Sequence, residues 1–336
     1  MLEDALKLRR QELGNEHPDV ATSLDHLGEV AGLKADYARS ESLLREALTM
    51  RRKLLGVESK DVAVSLNHLA MVMLNRGQYD EAERLHRESL EMKRKLLGQE
   101  HLEVATSLTS LGLTVHTKAS AGLLRRDPLA SPNNLRLTVY EKECYDEAAR
   151  MFRESLEIRR KQLGPDHYLV AENMMHLALL PLLEGQFEEA EQPVREALAI
   201  YRNWFGEDHP ETIITLRDLA LVLRHKGDCR AALPLFEEAI RRGVALLGPD
   251  HLELAYAREG YASCLTKLGR YREAEENFLA AHASFQAVKG TQHMWTKLAA
   301  RSFAELYEAW GKPDRAKPYR ALLKSEENTS TPSKNP

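Results

Sequence analysis

A glycine recurs every 42 residues along this chain. The period glycines are Gly14, Gly56, Gly98, Gly164, Gly206, Gly248 and Gly290. Every interval between neighbours is 42 residues except the one from Gly98 to Gly164, which is 66 residues and therefore 24 longer. A period of this size is typical of stacked supersecondary units, each too small to bury its apolar face alone. The chain is therefore predicted to be a repeat array rather than a set of globular domains.

The pattern within one period predicts a pair of helices. In residues 59–98, apolar residues fall at helical spacing on both sides of Gly77. The period glycine follows the second helix, where glycine readily takes the left-handed conformation that ends a helix. Small residues recur at one position of the first helix, among them Gly28, Ala70 and Gly112, which predicts close packing between paired helices. The expected fold class is therefore all-α.

Two short motifs in this pair resemble those of a known family. They are Leu66-x-x-Leu69-Ala70 and Gly77-x-Tyr79-x-Glu81-Ala82. Together they resemble the tetratricopeptide repeat (TPR), and the 42-residue period is similar to the variety found in kinesin light chains and nephrocystin-3. The resemblance implies a right-handed α-α superhelical solenoid of antiparallel helix pairs. It also implies a non-enzymatic protein–protein interaction scaffold that binds a peptide or partner segment in its concave groove.

The period divides the chain into repeat units. Residues 1–14 correspond to the second helix of a truncated repeat, and residues 324–336 to a disordered polar tail. The array between them consists of units 15–56, 57–98, 99–164, 165–206, 207–248, 249–290 and a capping unit, 291–323. The first helix of the truncated repeat is missing, which predicts either that the chain is a fragment of a larger protein or that its open N-terminal face self-associates.

Helix-breaking residues mark two departures from the period. The 24 extra residues fall near 116–139 and include Pro128 and Pro132, which predicts an irregular excursion from the first helix of its unit. This segment is either a looped-out insertion or a basic binding loop. Pro181 lies deep in the first helix of the 165–206 unit, where an interior proline predicts a kink or an early helix end.

Composition narrows the classes of partner. The 47 basic and 51 acidic residues leave a net charge of -4, so the chain lacks the excess of positive charge that is typical of proteins that bind nucleic acid or an anionic membrane. No apolar run approaches the roughly 18 residues that a membrane span needs. The N-terminus is too charged for a signal peptide. The three cysteines are scattered, which predicts free thiols in a reducing compartment. The expected location is the cytoplasm.

A row of histidines suggests either a metal site or a structural turn. His17, His101, His167, His209, His251 and His293 each follow a period glycine by three residues. Consecutive members lie one repeat apart, too far to share an ion, so they are predicted to be turn or cap residues. No catalytic or cofactor motif occurs in the sequence. The charged second helices predict i,i+4 ion pairs, such as Glu83–Arg87 and Glu91–Lys95.

The TPR resemblance places the binding groove on the first helix of each repeat. The candidate groove residues are His26, Asn67, His68, Asn75, His176, Arg217, Arg224, His225, Lys267 and Arg301. The family often has asparagines here that grip a peptide backbone; this chain keeps Asn67 but has histidine at positions 26, 68 and 176. The guanidinium and ammonium groups suit carboxylates, which predicts an acidic peptide. The alternative is a regulatory or sensor module of a larger signalling protein with a kinase or NTPase domain.

Overall fold

A computed structural model describes residues 1–126, 138–183, 185–289 and 294–327. All regular secondary structure in these residues is helical, which confirms the all-α class. The helices are α1 (Leu2–Leu13), α2 (Pro18–Leu33), α3 (Tyr37–Leu55), α4 (Lys60–Asn75), α5 (Tyr79–Leu97), α6 (Leu102–Arg126), α7 (Val139–Leu163), α8 (Tyr168–Leu183), α9 (Phe187–Phe205), α10 (Pro210–His225), α11 (Cys229–Leu247), α12 (Leu252–Lys267), α13 (Tyr271–Lys289), α14 (Met294–Ala309) and α15 (Pro313–Glu327). Because α15 continues to Glu327, the disordered tail predicted for residues 324–336 is wrong for residues 324–327, and residues 328–336 lie outside the described residues.

The helices form two compact units. The first unit comprises Met1–Arg126 and Leu137–Asp166 and contains α1 to α7. The second unit has its described helices, α8 to α15, from His167 onward. In both units each even-numbered helix packs most extensively against the helix that follows it, from α2 with α3 to α14 with α15. These even-numbered helices are the first helices of the repeats.

The period glycines end the second helices in the conformation that the sequence predicts. Gly14, Gly56, Gly98, Gly164, Gly206 and Gly248 have φ values between 82° and 88°. An L-residue with a side chain is strained in this region, whereas glycine is not. Each regular second helix therefore stops after 19 residues, and the chain turns into the next repeat. Gly290 lies outside the described residues.

The histidine row caps the first helices. His17, His101, His167, His209 and His251 each accept a hydrogen bond on Nδ1 from the backbone N–H two residues later, at 3.1–3.3 Å. An unpaired N–H at a helix start needs such an acceptor, so the cap interpretation is confirmed for these five. His293 lies outside the described residues. Within the described part of the chain, no group of three or more metal-binding side chains comes together.

Small residues let the paired helices approach closely. A Cβ atom on Gly112 of α6 would lie 2.7 Å from Cε1 of Phe152 on α7, too close for any real contact. Ala70 and Ala82 are fully buried in the α4–α5 pair. The predicted close packing is therefore confirmed, because each small residue makes room for a large side chain or for a neighbouring backbone.

The 24 extra residues lengthen a helix pair. Compared with the regular 16- and 19-residue helices, α6 has nine more residues and α7 has six more. The excursion predicted from His116 is therefore wrong for residues 116–126, where Ala119 and Leu123 are buried, and for the α7 start at Val139. This part of the insertion lacks proline and can continue the helix. Residues 127–137, which contain both prolines, lie outside the described residues.

Pro181 does not shorten its helix. α8 has the same 16 residues as the regular first helices, so an early end is wrong. Pro181 still removes one helical N–H donor. We expect Pro181→Leu, which introduces the residue found at the equivalent position 223, to stabilise the second unit by about 1–2 kcal/mol. Urea unfolding of both proteins measures this difference, and equal or lower stability of the variant would show that the helix has fully adapted to proline.

Ion pairs join consecutive second helices of the first unit. The same pair recurs once per repeat as Arg10–Glu46, Arg52–Glu88 and Arg94–Glu154. Glu83 and Arg87 form the predicted i,i+4 pair at 2.8 Å. Lys95 instead pairs with Glu58, in the turn before α4, so the Glu91–Lys95 prediction is wrong. Exposed pairs contribute little stability individually, and their repetition shows that neighbouring repeats of this unit keep the same register.

Candidate functional site

The first helices form the inner wall of each unit. α2 contacts α4 in the first unit, and α12 contacts both α10 and α14 in the second. The second helices instead contact mainly the first helices on either side of them. Successive first helices therefore lie closer together than successive second helices, which makes their side the concave one within each unit.

One position of this inner wall changes its chemistry from repeat to repeat. Its residues are Asp25, Asn67 and Thr109 in the first unit, and Met175, Arg217, Glu259 and Arg301 in the second. We call it the wall position. The position before it is small or apolar in most repeats, as at Leu66 and Leu216, both fully buried, but is Arg258 in the 249–290 unit. The repeats therefore share most of their core and differ at the wall.

A buried ion-pair network stands behind the wall of the first unit. Asp25 and Arg51 are only 1% and 5% exposed, and Arg51 Nη1 lies 3.2 Å from Asp25 Oδ1. Ser65 Oγ donates to Asp25 Oδ1 at 2.8 Å and accepts from Arg51 Nη1 at 2.6 Å. Arg51 comes from α3, the helix between α2 and α4 in sequence, so one side chain joins two consecutive repeats.

His68 connects this network to the wall surface. Its Nδ1 lies 2.8 Å from Asp25 Oδ2, and about a quarter of its side chain is exposed. Burial alone would lower the pKa of His68, but the hydrogen bond and charge of Asp25 raise it above its ordinary value. Burial likewise opposes the ionisation of Asp25, yet His68 and Arg51 keep the pKa of that carboxyl below its usual range. His68 therefore gains a proton more readily than an ordinary histidine.

The next repeat lacks the matching carboxylate. Its equivalents of Arg51 and Asp25 are Lys93 and Asn67, and its equivalent of Ser65 is Ser107. Lys93 is 5% exposed, and burial lowers its pKa below the usual value. Among the described residues, Asn67 Oδ1 and Ser107 Oγ are buried without a hydrogen-bond partner. The amide that the sequence predicts for peptide binding therefore has an unused acceptor.

Three other candidates lie elsewhere on the first helices. His26 is exposed on α2, one residue after Asp25, and Asn75 is exposed at the last position of α4. His176 is half-buried on α8 of the second unit. The helical spacing predicts their helices correctly, but His26 and Asn75 do not join the Asp25–His68 network.

Arg217 is already neutralised within the second unit. Its guanidinium binds Asp218 Oδ1 at 2.7 Å through Nη2 and pairs with Glu253 through Nη1. Its Cζ also lies 5.8 Å from the ring centre of Tyr256. The sequence identified the cation but missed Glu253, because that carboxylate belongs to the next first helix. Arg217 therefore has less attraction for an added carboxylate than its charge suggests.

Arg224, His225, Lys267 and Arg301 lie in one mixed-charge cluster. Arg224 Nη2 lies 2.9 Å from His225 Nε2, and its Nη1 is 4.0 Å from Glu259 Oε2. Burial and then Arg224 and Lys267 lower the pKa of His225 to about 3, so this ring is neutral at pH 7. Glu305 interacts with Arg301 and Arg224, and desolvation with nearby carboxylates raises its pKa. The inner wall here combines cations with acids.

Sequence comparison identifies the repeat. The tetratricopeptide repeat model matches residues 1–53, 132–203, 183–243 and 253–319, and a second tetratricopeptide repeat model matches residues 62–103. The chain belongs to the tetratricopeptide repeat family. This confirms the family that the Leu66 and Gly77 motifs predict. Comparison with curated protein sequences found no match.

Solved structures share the TPR fold. A protein of Podosopora anserina assigned as a kinesin light chain is 20% identical, with a TM-score of 0.53, and the match covers 68% of this chain and 97% of that one. The apo quorum sensor NprR from B. thuringiensis is 12% identical, with a TM-score of 0.64 and coverages of 96% and 81%. The Rap conjugation gene regulator of plasmid pLS20, solved with the Phr* peptide, is 16% identical, with a TM-score of 0.54 and coverages of 93% and 77%.

None of the described helices combines the length and the apolar character that crossing a bilayer requires. The exposed faces of the second helices instead carry the ion pairs described above.

Proposed function

We propose that this TPR protein is a non-enzymatic scaffold that binds a peptide segment on the inner wall of its first helices. The observation that carries the proposal is the wall position of the second unit, where Met175, Arg217, Glu259 and Arg301 are only partly buried and differ in chemistry from repeat to repeat. Such variation suits recognition, because each repeat then presents a different group to the same ligand. The Rap regulator solved with the Phr* peptide supports a peptide as the class of ligand.

The acidic preference depends on Arg224 and Lys267 more than on Arg217. Arg217 already has two carboxylate partners, whereas Lys267 is exposed and has no ion pair in the described part of the chain. The 4.0 Å separation of Arg224 from Glu259 is at the limit of an ion pair. A peptide carboxylate would therefore bind between Arg224 and Lys267, with His225 remaining neutral.

Selection from a phage-displayed library of random peptides tests this proposal with the full chain. We expect enrichment of peptides that contain Asp or Glu. We also expect the double variant Arg224→Gln, Lys267→Gln to bind a selected peptide at least about tenfold more weakly, a loss of about 1.4 kcal/mol. Binding is measured by isothermal titration calorimetry, and circular dichroism verifies that each variant is folded.

The matched control removes two positive charges from the second helices. Arg241 and Arg272 are exposed on α11 and α13, so Arg241→Gln, Arg272→Gln should bind as the wild type does. Equal weakening by both double variants would indicate a general charge effect and would contradict the inner-wall site. Enrichment of peptides without acidic residues would contradict the acidic preference alone.

The alternative is a regulatory or sensor module of a larger signalling protein. The fold shared with the quorum sensor NprR over 96% of this chain favours it. The discriminating observation is the coding sequence upstream, where an in-frame kinase or NTPase domain would support this alternative.

A further inference from the structure

The inner face of α8 is apolar. Met175 is at the wall position, and Leu179 and Leu182 follow it at helical spacing, so the three residues lie on one face of the helix. Leu179 is 39% exposed, whereas Met175 and Leu182 are partly buried against the core of the second unit. From Met175 to its end, α8 contains no acidic residue, lysine or arginine. This face therefore offers a ligand an apolar surface.

Leu221 continues this surface onto α10. It occupies the position of Leu179 one repeat later and is partly buried against the same core. Its Cδ2 lies 3.0 Å from the place that a Cβ atom on Gly260 would take, so Leu221 lies against α12. The equivalent positions on α12 and α14 are Ser263 and Glu305, so the apolar surface ends at α10. We call Met175, Leu179, Leu182 and Leu221 the apolar strip.

Two cations border the apolar strip on the α12 side. Arg224 follows Leu221 by about one helical turn, and its Nη1 lies 3.4 Å from Ser263 Oγ on α12. Lys267 lies in the last turn of α12, one turn beyond Ser263. Apolar contact is therefore available on α8 and α10, and positive charge on α10 and α12. A ligand that is complementary to both must combine an apolar side chain with a carboxylate.

We propose that the second unit recognises an extended amphipathic peptide whose apolar side chain contacts the apolar strip and whose acidic side chain binds between Arg224 and Lys267. This inference rests on the proposed function and adds the apolar part of the ligand and its distance from the acid. Packed helices lie about 8–10 Å apart, and an extended peptide advances about 3.3 Å per residue. The strip and the cations are one to two helices apart, so about three to six residues should separate the two ligand side chains.

A substitution on α8 tests the apolar part of this site with the full chain. Leu179→Gln changes the most exposed residue of the strip and should weaken binding of a library-selected peptide at least about fivefold, because it removes apolar contact. Leu179→Met keeps that contact and should retain most of the affinity. The matched control is Leu279→Gln, at a 52% exposed leucine of α13, a second helix, and it should bind as the wild type does.

Salt distinguishes the apolar part of the site from the charged part. Raising NaCl from about 0.15 M to about 1 M shortens the Debye length from about 8 Å to about 3 Å. The loss of affinity caused by Arg224→Gln, Lys267→Gln should therefore shrink at high salt, whereas the loss caused by Leu179→Gln should persist. Isothermal titration calorimetry at both salt concentrations measures the two losses, and a Leu179→Gln loss that disappears at high salt would contradict an apolar contact.

The selected peptides separate this inference from the proposed function. Failure to select any binding peptide would contradict the proposed function and this inference together. Acidic peptides that share no apolar residue, or that bind Leu179→Gln as tightly as the wild type, would overturn the amphipathic ligand alone. Sedimentation of the free protein adds a further check. A dimer that Leu179→Gln dissociates would place a second copy of the chain on the apolar strip and would also overturn the proposal.

Discussion

Replacement of His86 by leucine is expected to raise the free energy of unfolding by about 1–3 kcal/mol at pH 7. His86 is completely buried on α5, and neither ring nitrogen has a hydrogen-bond partner among the described residues. The equivalent positions in the same unit hold Leu44 and Phe152, which are also buried. Leucine removes the cost of an unpaired polar group and is similar in shape to what the other repeats contain.

The same substitution should remove a sensitivity to acid. Burial, and then the charge of Lys93, lowers the pKa of His86 to about 4 in the folded protein. The unfolded chain has the ordinary histidine pKa of about 6.5 and therefore binds a proton that the folded protein does not. The wild type loses stability as the pH falls from about 6.5 towards about 4, and the loss attributable to His86 reaches about 3 kcal/mol. His86→Leu lacks this contribution.

Urea unfolding at several pH values between 4.5 and 7.5 measures this difference. The gap in unfolding free energy between His86→Leu and the wild type should widen as the pH falls. His26→Leu, which replaces an exposed histidine of the same unit, is the control. Parallel curves for the wild type and His86→Leu would show that His86 is not the acid-sensitive group.

The repeat period predicts most of the fold because the features behind it are local. A glycine that must adopt positive φ and a histidine that caps the next helix are separated by only three residues, so both are visible in the sequence. Core positions such as Leu66 follow from helical spacing. The extension of α6 through residues 116–126 is different, because helix continuation there depends on burial of Ala119 and Leu123. The prolines further along the insertion predict a break in the helix, so the sequence pattern does not indicate this burial.

The sequence predicts the positions of the wall residues but not which charged side chains they meet. Helical spacing places Arg217 and Arg224 on the first helices, where the structure has them. Their charge partners, Glu253 and Glu259, come from the following first helix, about 35 residues away, and a one-dimensional pattern does not show which side chains meet. The same limit applies to Asp25, whose role depends on Arg51 from another helix.

Loss of the Asp25 carboxylate is expected to have the largest effect on stability. Asp25→Asn should lower the free energy of unfolding of the first unit by about 3–5 kcal/mol, because it leaves the buried Arg51 without its counter-charge. Ser65 and His68 would also lose the anion to which they bind. Urea unfolding at pH 7 measures the change, and the control Asp36→Asn, at an exposed helix cap, should change the stability by less than about 0.5 kcal/mol, because asparagine caps a helix about as well as aspartate.

The reciprocal substitution separates charge pairing from changes in packing. Asn67→Asp gives the next repeat the carboxylate that Lys93 lacks, through the reverse exchange of a side-chain NH2 group for an oxygen. We expect it to stabilise the first unit by about 1–2 kcal/mol at pH 7, because Lys93 can then keep its charge with a partner. If Asn67→Asp destabilises the protein as much as Asp25→Asn does, the buried charges do not pair across these positions. Opposite signs for the two variants would instead show that each repeat requires a cation and an anion together.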